Sequence, residues 1–133
     1  MIKTKDVRQT VTFSVSPHVL YEAIMDSKKH AKFSGELARI SKKIGGISRA
    51  YGSYIYSINL DLVKDKRIVQ AWRGAGWPRG HFSIVSYKFK PTKKGTALSF
   101  THIDIPAKEA KHIDSGWKTH YWQPIKKMLK DKS

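Results

Sequence analysis

His102 and Asp104 are the two side chains of this sequence best suited to acid–base chemistry. They lie two residues apart in Ala97 to Ile105, a run typical of a β-strand, so both side chains are expected on one face. An imidazole beside a carboxylate is the minimum for a general base. Because no nucleophile or charge-stabilising group accompanies them, the pattern favours a hydrogen-bonded pocket histidine, and we predict that the protein is not an enzyme.

The other histidines and carboxylates do not form a metal-binding pattern. No spacing of His, Asp and Glu matches a metal site, and no glycine-rich loop has the context of a phosphate-binding loop. The absence of cysteine excludes disulfides and thiolate chemistry. We therefore predict no metal site and no cofactor.

Two tryptophans and a histidine lie within one turn-forming stretch, Trp72 to Ser83. Trp72 and Trp77 either pack in the core and hold this turn, which is favoured, or stand at the mouth of a cavity. His81 either bonds a neighbouring backbone group, again the favoured interpretation, or faces a ligand. The stretch is therefore a candidate site as well as a structural turn.

Length and composition indicate one globular domain that spans residues 1–133. This length suits a single domain, and the 40% hydrophobic and 11% aromatic fractions exclude intrinsic disorder. Every apolar run is shorter than the ~20 residues of a membrane helix. Met1 to Asp6 lack the apolar core of a secretory signal, so a cytoplasmic location is predicted.

The charge of the sequence is its most extreme property. The 26 Lys and Arg residues against 10 Asp and Glu give a formal net charge of +16, which attracts anionic partners. The basic residues are spread along the chain in pairs, such as Lys42-Lys43 and Lys93-Lys94. Solvated faces are therefore favoured over a nucleic-acid footprint, although folding can gather separate pairs.

Hydrophobic periodicity predicts an α+β fold that begins with one strand and two short helices. Val7 to Val15 alternates as a strand. Ser16-Pro17 starts a helix that runs to about Met25, and a second short helix covers Lys28 to Phe33 and stops at Gly35.

The middle of the chain predicts an antiparallel meander of about six strands. The predicted strands are Glu36 to Lys43, Ile47 to Tyr51, Tyr54 to Leu62, Arg67 to Arg73, Phe82 to Lys90 and Ala97 to Ile105. In the third of these, Tyr54, Tyr56, Ile58, Leu60 and Leu62 form the apolar face. The last four strands form two hairpins.

Lys108 to about Lys130 predicts one long carboxy-terminal helix. Its buried stripe is predicted to contain Ile113, Trp117, His120, Tyr121, Pro124 and Met128. Pro124 must leave the His120 carbonyl without its usual partner and bend the helix. Trp122 lies nearly opposite the stripe, where it either marks a partner surface or packs against the chain itself. Gly116 is expected to allow close backbone approach.

Several motifs carry a resemblance to a known family. They are Gly45-Gly46, Asp65 to Arg73, Trp77 to Ser83, Gly116-Trp117-Lys118 and Tyr121 to Lys126. With the order of elements, they resemble the family named for the activator of the heat shock protein 90 (Hsp90) ATPase, within the START/SRPBCC superfamily. The resemblance covers nearly the whole chain.

The resemblance implies a helix-grip fold, in which a curved antiparallel sheet wraps around the long helix. Many superfamily members hold apolar small molecules in a cavity between the two, and the fold implies no fixed chemistry. Eukaryotic members join this domain to an amino-terminal chaperone-binding domain, for which we expect no counterpart in these residues. Ser48 replaces a usual aromatic residue and Ser57 an often-found glycine, so the pocket is expected to differ in shape.

Three functions follow in order of preference. The first is non-enzymatic binding of an apolar or amphipathic small molecule between the helix and the sheet. The predicted ligand-binding residues are Tyr56, Trp72, Trp77, His81, Phe100, His102, Trp117, His120 and Tyr121. The second is a chaperone-associated module that binds an acidic protein through its basic surface. Nucleic-acid binding ranks third, because the aromatic residues do not alternate with basic ones as a stacking platform requires.

Overall fold

The computed structural model describes residues 2–130 as a six-stranded antiparallel sheet with helices packed on one face. The strands are β1 (Thr4–Phe13), β2 (Ile47–Ala50), β3 (Ile55–Val63), β4 (Arg67–Gly74), β5 (Ser83–Thr92) and β6 (Gly95–Pro106). Their order across the sheet is β1-β6-β5-β4-β3-β2. The predicted α+β helix-grip architecture is confirmed.

Two short helices, α1 (Pro17–Met25) and α2 (Ser27–Ser34), follow β1, as predicted. The Ser16 hydroxyl accepts a hydrogen bond from the Val19 amide at 3.3 Å and caps α1. The Asp26 carboxylate caps α2 in the same way, accepting from the Lys29 amide at 3.0 Å. Gly35 ends α2 with φ 72°, a left-handed conformation that glycine adopts without strain.

The predicted strand Glu36 to Lys43 is wrong, since only an isolated bridge from Arg39 to Arg49 forms there. The side chain of Asn59 is the physical reason. Its amide donates to the carbonyl oxygens of Ser41 (2.7 Å) and Lys43 (3.0 Å), which holds this segment as a loop against β3.

The residues of β3 that face the core are also not the predicted ones. Ile55, Ser57 and Asn59 are the buried residues of this strand, so Tyr56 and Leu60 point to the outer face. The Asn59 side-chain oxygen accepts a hydrogen bond from the buried Gln70 amide at 3.1 Å. Because these polar groups are satisfied inside, the more apolar set of side chains lies outside.

The carboxy-terminal helix (residues 107–130) is continuous but changes its winding. A 3-10 turn (Ala107–Glu109) leads into α3 (Ala110–Trp117), a π-helical turn (Lys118–Trp122) and α4 (Gln123–Lys130). Such wide turns occur mostly as single interruptions of α-helices. This segment therefore begins within one residue of the predicted position but is not one regular helix.

The π-helical turn lies next to Pro124, which has no N–H group for the His120 carbonyl. The hydroxyl of Tyr51 donates a hydrogen bond to that carbonyl oxygen. The His120 carbonyl therefore finds its hydrogen-bond partner in the loop after β2. This bond also joins the carboxy-terminal helix to that loop.

Two predictions about the helix stripe are corrected by this turn. Trp122, predicted opposite the buried stripe, is buried with 3% of its surface exposed, whereas His120, predicted in the stripe, is exposed. The wide turn rotates the residues that follow it relative to a regular helix. Trp122 therefore joins the core and donates its indole N–H to Gln9 Oε1 at 2.5 Å.

Gln9 connects β1 to both halves of the carboxy-terminal helix. Its amide nitrogen donates to Asp114 Oδ1 at 2.6 Å and to the Asp114 carbonyl at 3.0 Å, while its oxygen accepts from Trp122. One half-buried side chain therefore holds α3 and the π-helical turn against the first strand.

We expect Gln9→Ala to lower the free energy of unfolding by about 1–3 kcal/mol, because it leaves the buried Trp122 indole N–H without a partner. Urea unfolding followed by far-ultraviolet circular dichroism measures this. Thr10→Ala is the matched control, since Thr10 is exposed on the same strand. Equal stability of the two variants would contradict the role given to Gln9.

Candidate functional site

A cleft of about 320 Å³ opens between α3, the π-helical turn and the inner face of β3 and β4. Its apolar floor is formed by Ile55, Trp72, Ile113, Trp117 and Tyr121, all of them buried. The volume and the aromatic lining are typical of sites for small apolar ligands. The cleft lies between the carboxy-terminal helix and the sheet; that it binds a ligand stays a prediction.

The rim of the cleft is polar and comes from three separate segments. Glu36 contributes from the loop before β2. Tyr51 and Tyr54 contribute from the turn between β2 and β3, and His112 and His120 from the helix. Tyr51 has a positive φ of 51°, an uncommon conformation for an aromatic residue. Burial and the nearby Glu36 charge raise the pKa of Tyr51 to about 12, so its hydroxyl remains a donor to His120.

The floor of the cleft is held by aromatic contacts. The ring of Trp117 lies 4.5 Å from Tyr121, 4.5 Å from Phe100 and 5.8 Å from Trp72, measured between centroids. Such tilted pairs add to the free energy gained by burying the rings. Trp117 is therefore the central residue of the wall that the helix presents to the sheet.

A hydrogen-bonded relay supports this wall from behind. The indole N–H of Trp117 donates to His102 Nδ1 at 2.9 Å, His102 Nε2 lies 2.7 Å from Ser83 Oγ, and Ser83 Oγ donates to the Trp72 carbonyl at 2.8 Å. An indole nitrogen can only donate. His102 Nδ1 therefore accepts, and Nε2 carries the proton and donates to Ser83.

His102 is neutral in this relay. Its side chain is fully buried, and desolvation lowers the pKa of His102 from 6.5 to about 3. The lone pair that would act as a base is already used by Trp117. His102 thus stands behind the floor of the cleft as a bridge between sheet and helix, not at its surface.

The predicted pairing of His102 with Asp104 does not occur. Asp104 is exposed with φ 62°, and the register between β1 and β6 shifts between Lys5 and Val7, near this residue. A bulge of this kind breaks the alternation on which the prediction depended. The backbone N–H of Asp104 instead donates a hydrogen bond to Asp6 Oδ1 at 3.0 Å.

His81 has the structural role favoured from the sequence. Its Nε2 donates to the Asp104 carbonyl at 2.8 Å, which joins the turn after β4 to the bulge in β6. Trp77 is buried behind Trp72, with 5.3 Å between the ring centroids. Neither His81 nor Trp77 lines the cleft.

Of the nine predicted ligand-binding residues, the cleft brings together Trp72, Trp117, His120 and Tyr121. Phe100 and His102 lie behind the wall, and Tyr56 lies on the outer face because the register of β3 is opposite to the prediction. Sequence reasoning missed Tyr51 and Tyr54 as wall residues. Their position on either side of Gly52, in a turn between two strands, was the available signal.

A second, much smaller cavity of about 20 Å³ lies beside His30 and Tyr121. Ser48 and Ser57 border it. His30 Nε2 lies 3.0 Å from the Tyr121 hydroxyl, and its buried Nδ1 has no hydrogen-bond partner among residues 2–130. Desolvation lowers the pKa of His30 to about 4.

Folding also gathers part of the positive charge. A groove of about 960 Å³ runs between the end of β1, the β5–β6 turn and the end of α4. Lys93, Lys94 and Lys126 border it around Phe13 and Leu129. We call this region the lysine groove.

Two features, a group of metal ligands and a membrane-spanning helix, are absent from residues 2–130. No three His, Asp or Glu side chains there are grouped so that they could hold a metal ion. In the same part of the chain, no helix has the length and apolar character required to cross a membrane.

Comparison with known proteins identifies the family. The sheet, cleft and helix define a helix-grip domain, and residues 14–130 match the family model described as Activator of Hsp90 ATPase homolog 1-like protein. The chain belongs to this family. It is 30% identical over 125 residues to the human activator of 90 kDa heat shock protein ATPase homolog 1, covering 94% of this chain but only 37% of that protein.

Other relatives agree. The Dictyostelium discoideum activator of 90 kDa heat shock protein ATPase homolog is 28% identical over 92% of this chain and 32% of its own length. The solved structure of an HSP90 activator from Plasmodium falciparum is 25% identical, with a TM-score of 0.84 and 95% of both chains covered. A Mesorhizobium loti protein with 15% identity and a TM-score of 0.80 shares the fold, with 97% of this chain and 99% of that one covered.

We expect the free energy of unfolding to fall as the pH is lowered from 6.5 towards 4. His30 and His102 have folded-state pKa values of about 4 and about 3 against an ordinary 6.5, so the unfolded state binds more protons in this range. Stability is therefore present above pH 6.5 and lost on acidification, by about 1–2 kcal/mol for each histidine at pH 5.

Urea unfolding at a series of pH values measures this slope. In His30→Gln, which keeps a neutral polar side chain, the slope between pH 4 and 6.5 should fall by roughly one proton. The same slope in the variant and the unmodified chain would show that His30 is already protonated in the folded protein.

Proposed function

We propose that this chain is a non-catalytic, chaperone-associated domain that binds Hsp90 and modulates its ATPase. The likeness to named activators supports this most directly. The Plasmodium falciparum HSP90 activator structure matches over 95% of both chains, so a domain of this size is the unit that the two structures share. The chain spans 37% of the human activator, and the activity of that whole protein is extended to this domain as part of the proposal.

The burial and hydrogen bonding of His102 support a role without catalysis. His102, the best candidate for a general base, is buried and already accepts the Trp117 indole N–H. Asp104, its predicted partner, is exposed on the far side of a bulge. General base catalysis requires a free lone pair within reach of a substrate proton. We infer that the domain acts by binding.

The charge of the molecule supports an acidic partner. A net charge of +16 accelerates encounter with an anionic surface. Folding also brings some of these basic residues together, as in the lysine groove, and they add to the positive field around the molecule.

A second function is favoured by a specific observation, the 320 Å³ cleft. We propose that it binds a small apolar or amphipathic molecule, as the sequence predicted. Trp72, Trp117 and Tyr121 offer the ligand ring faces, and the exposed rim residues Glu36 and His120 offer polar contacts. Burial of apolar surface would contribute about 25 cal/mol per Å².

Gly116 supports the ligand proposal in a way that differs from the packing role expected of it. A Cβ at this position would meet only His120 Cδ2, at 3.9 Å. The glycine is therefore not required for close packing. Because it has no side chain, it leaves space in the cleft beside the helix.

We expect the purified chain to bind full-length Hsp90 of the same organism and to raise its ATP hydrolysis rate. Binding should weaken between low salt and about 0.3 M salt, because exposed charges are screened over that range. Calorimetric titration and a coupled ATPase assay measure the two effects. If neither binding nor a rate change is found at low salt, the chaperone proposal fails.

We expect Gly116→Leu to weaken binding of an apolar probe in the cleft by about tenfold or more, because its side chain takes up ligand volume. Fluorescence titration with 1-anilinonaphthalene-8-sulfonate measures the affinity. Ser115→Leu is the matched control, since Ser115 is exposed on the same helix and does not line the cleft. Equal affinities of the two variants would place the probe elsewhere.

A further inference from the structure

The outer face of the sheet carries an apolar row that crosses five strands. Strand pairing sets the following residues side by side, from β2 to β6: Ile47, Ile58, Ala71, Ile84 and Ile103. Ile47, at the sheet edge, is 52% exposed, and the other four are half-buried. β-Branched side chains on a sheet surface form a flat, rigid patch.

Beside this row lies a cluster in which arginine and aromatic side chains alternate. Tyr56 pairs with Arg49 on one side and Arg73 on the other. The Arg49 guanidinium carbon is 4.8 Å from the centre of the Tyr56 ring, and that of Arg73 is 5.7 Å from the Phe82 ring. The two rings are 6.1 Å apart. We call these four residues the arginine–aromatic cluster.

The guanidinium groups of this cluster have no carboxylate partner. Among residues 2–130, the ion pairs are His18 with Asp65, Lys42 with Glu22 and Arg67 with Asp61, and none involves Arg49 or Arg73. Arg73 is anchored by one hydrogen bond, from Nη2 to the Trp77 carbonyl at 3.0 Å. The cluster lines a hollow of about 390 Å³ whose walls include no acidic residue.

We propose that this outer face is a docking surface for an acidic, apolar-bearing segment of the chaperone partner. The inference rests on the function proposed above and gives it a location. Charge complementarity is the main argument: two guanidinium groups held on ring faces leave N–H groups free for carboxylates. Arginine and tyrosine beside an apolar row are also the residue types enriched at protein interfaces.

The same features make a nucleic acid a poorer occupant of this face. Tyr56 and Phe82 each already have a guanidinium group over one ring face, which limits stacking of successive bases. The phosphate backbone of a nucleic acid cannot make apolar contacts with the adjacent row of isoleucines, whereas apolar side chains of a peptide would be buried there. The lysine groove, formed by the end of β1, the β5–β6 turn and α4, shares no residue with this face. It is therefore a second basic region with which the effect of substitutions on this face can be compared.

The test compares variants of the two basic regions in their affinity for full-length Hsp90. Arg49→Glu should weaken binding about tenfold or more, and Arg49→Gln less, because reversal adds repulsion. Ile47→Ser should weaken binding with little change in its salt dependence. Lys94→Glu, with the same charge change in the lysine groove, should alter the affinity less than about threefold. Circular dichroism melting confirms that each variant is folded.

Each outcome decides between defined alternatives. If the unmodified chain does not bind, the proposed function fails and this surface falls with it. If the chain binds but Arg49→Glu changes nothing, or Lys94→Glu weakens binding equally, only the location is overturned. If Arg49→Glu weakens binding to a single-stranded oligonucleotide but not to Hsp90, the face serves nucleic acid and the proposal is wrong.

Discussion

The bond from the Trp117 indole to His102 is the interaction on which the rest of the structure depends. It joins the carboxy-terminal helix to the centre of β6, and the relay through Ser83 carries it to the backbone of β4. All four side chains and groups are buried, so each must find its partner inside. Because an indole N–H can only donate, the hydrogen bonds of this relay run in one direction, from the helix to the sheet. The floor of the cleft is a consequence, because Trp72 and Trp117 lie at the two ends of this relay.

The π-helical turn is the second constraint, and it reconciles two requirements of the helix. Trp117 must face β6, and Trp122, five residues later, must reach Gln9 on β1. The wide turn allows both, and Pro124, two residues after its end, is compatible with the lost helical hydrogen bond. Tyr51 satisfies the freed carbonyl and at the same time forms the rim of the cleft. The interruption of the helix therefore contributes to the shape of the candidate site.

Prediction succeeded where the physical signal was local. The start of α1 at Ser16, the stop at Gly35 and the hairpin of β5 and β6 depend on residues close together in the chain, and all three occur. It failed at β3, where alternation alone gives two registers and the more apolar one was chosen. Asn59 reverses that choice through hydrogen bonds to a distant loop and to Gln70. The misplacement of Tyr56 in the cleft follows from this single reversal.

By itself, the sequence determined most of the helices and strands, the family and the positive charge, because short-range periodicity, motifs and composition carry that information. Only the tertiary structure decided which side chains meet. His102 and Asp104 are separated by a bulge, Trp122 is turned inward by the π-helical turn, and Arg49 and Arg73 are brought to the rings of Tyr56 and Phe82 by strand pairing. The physical reason is that register and helix winding are chosen by long-range hydrogen bonds between buried groups, which no local pattern of residues contains.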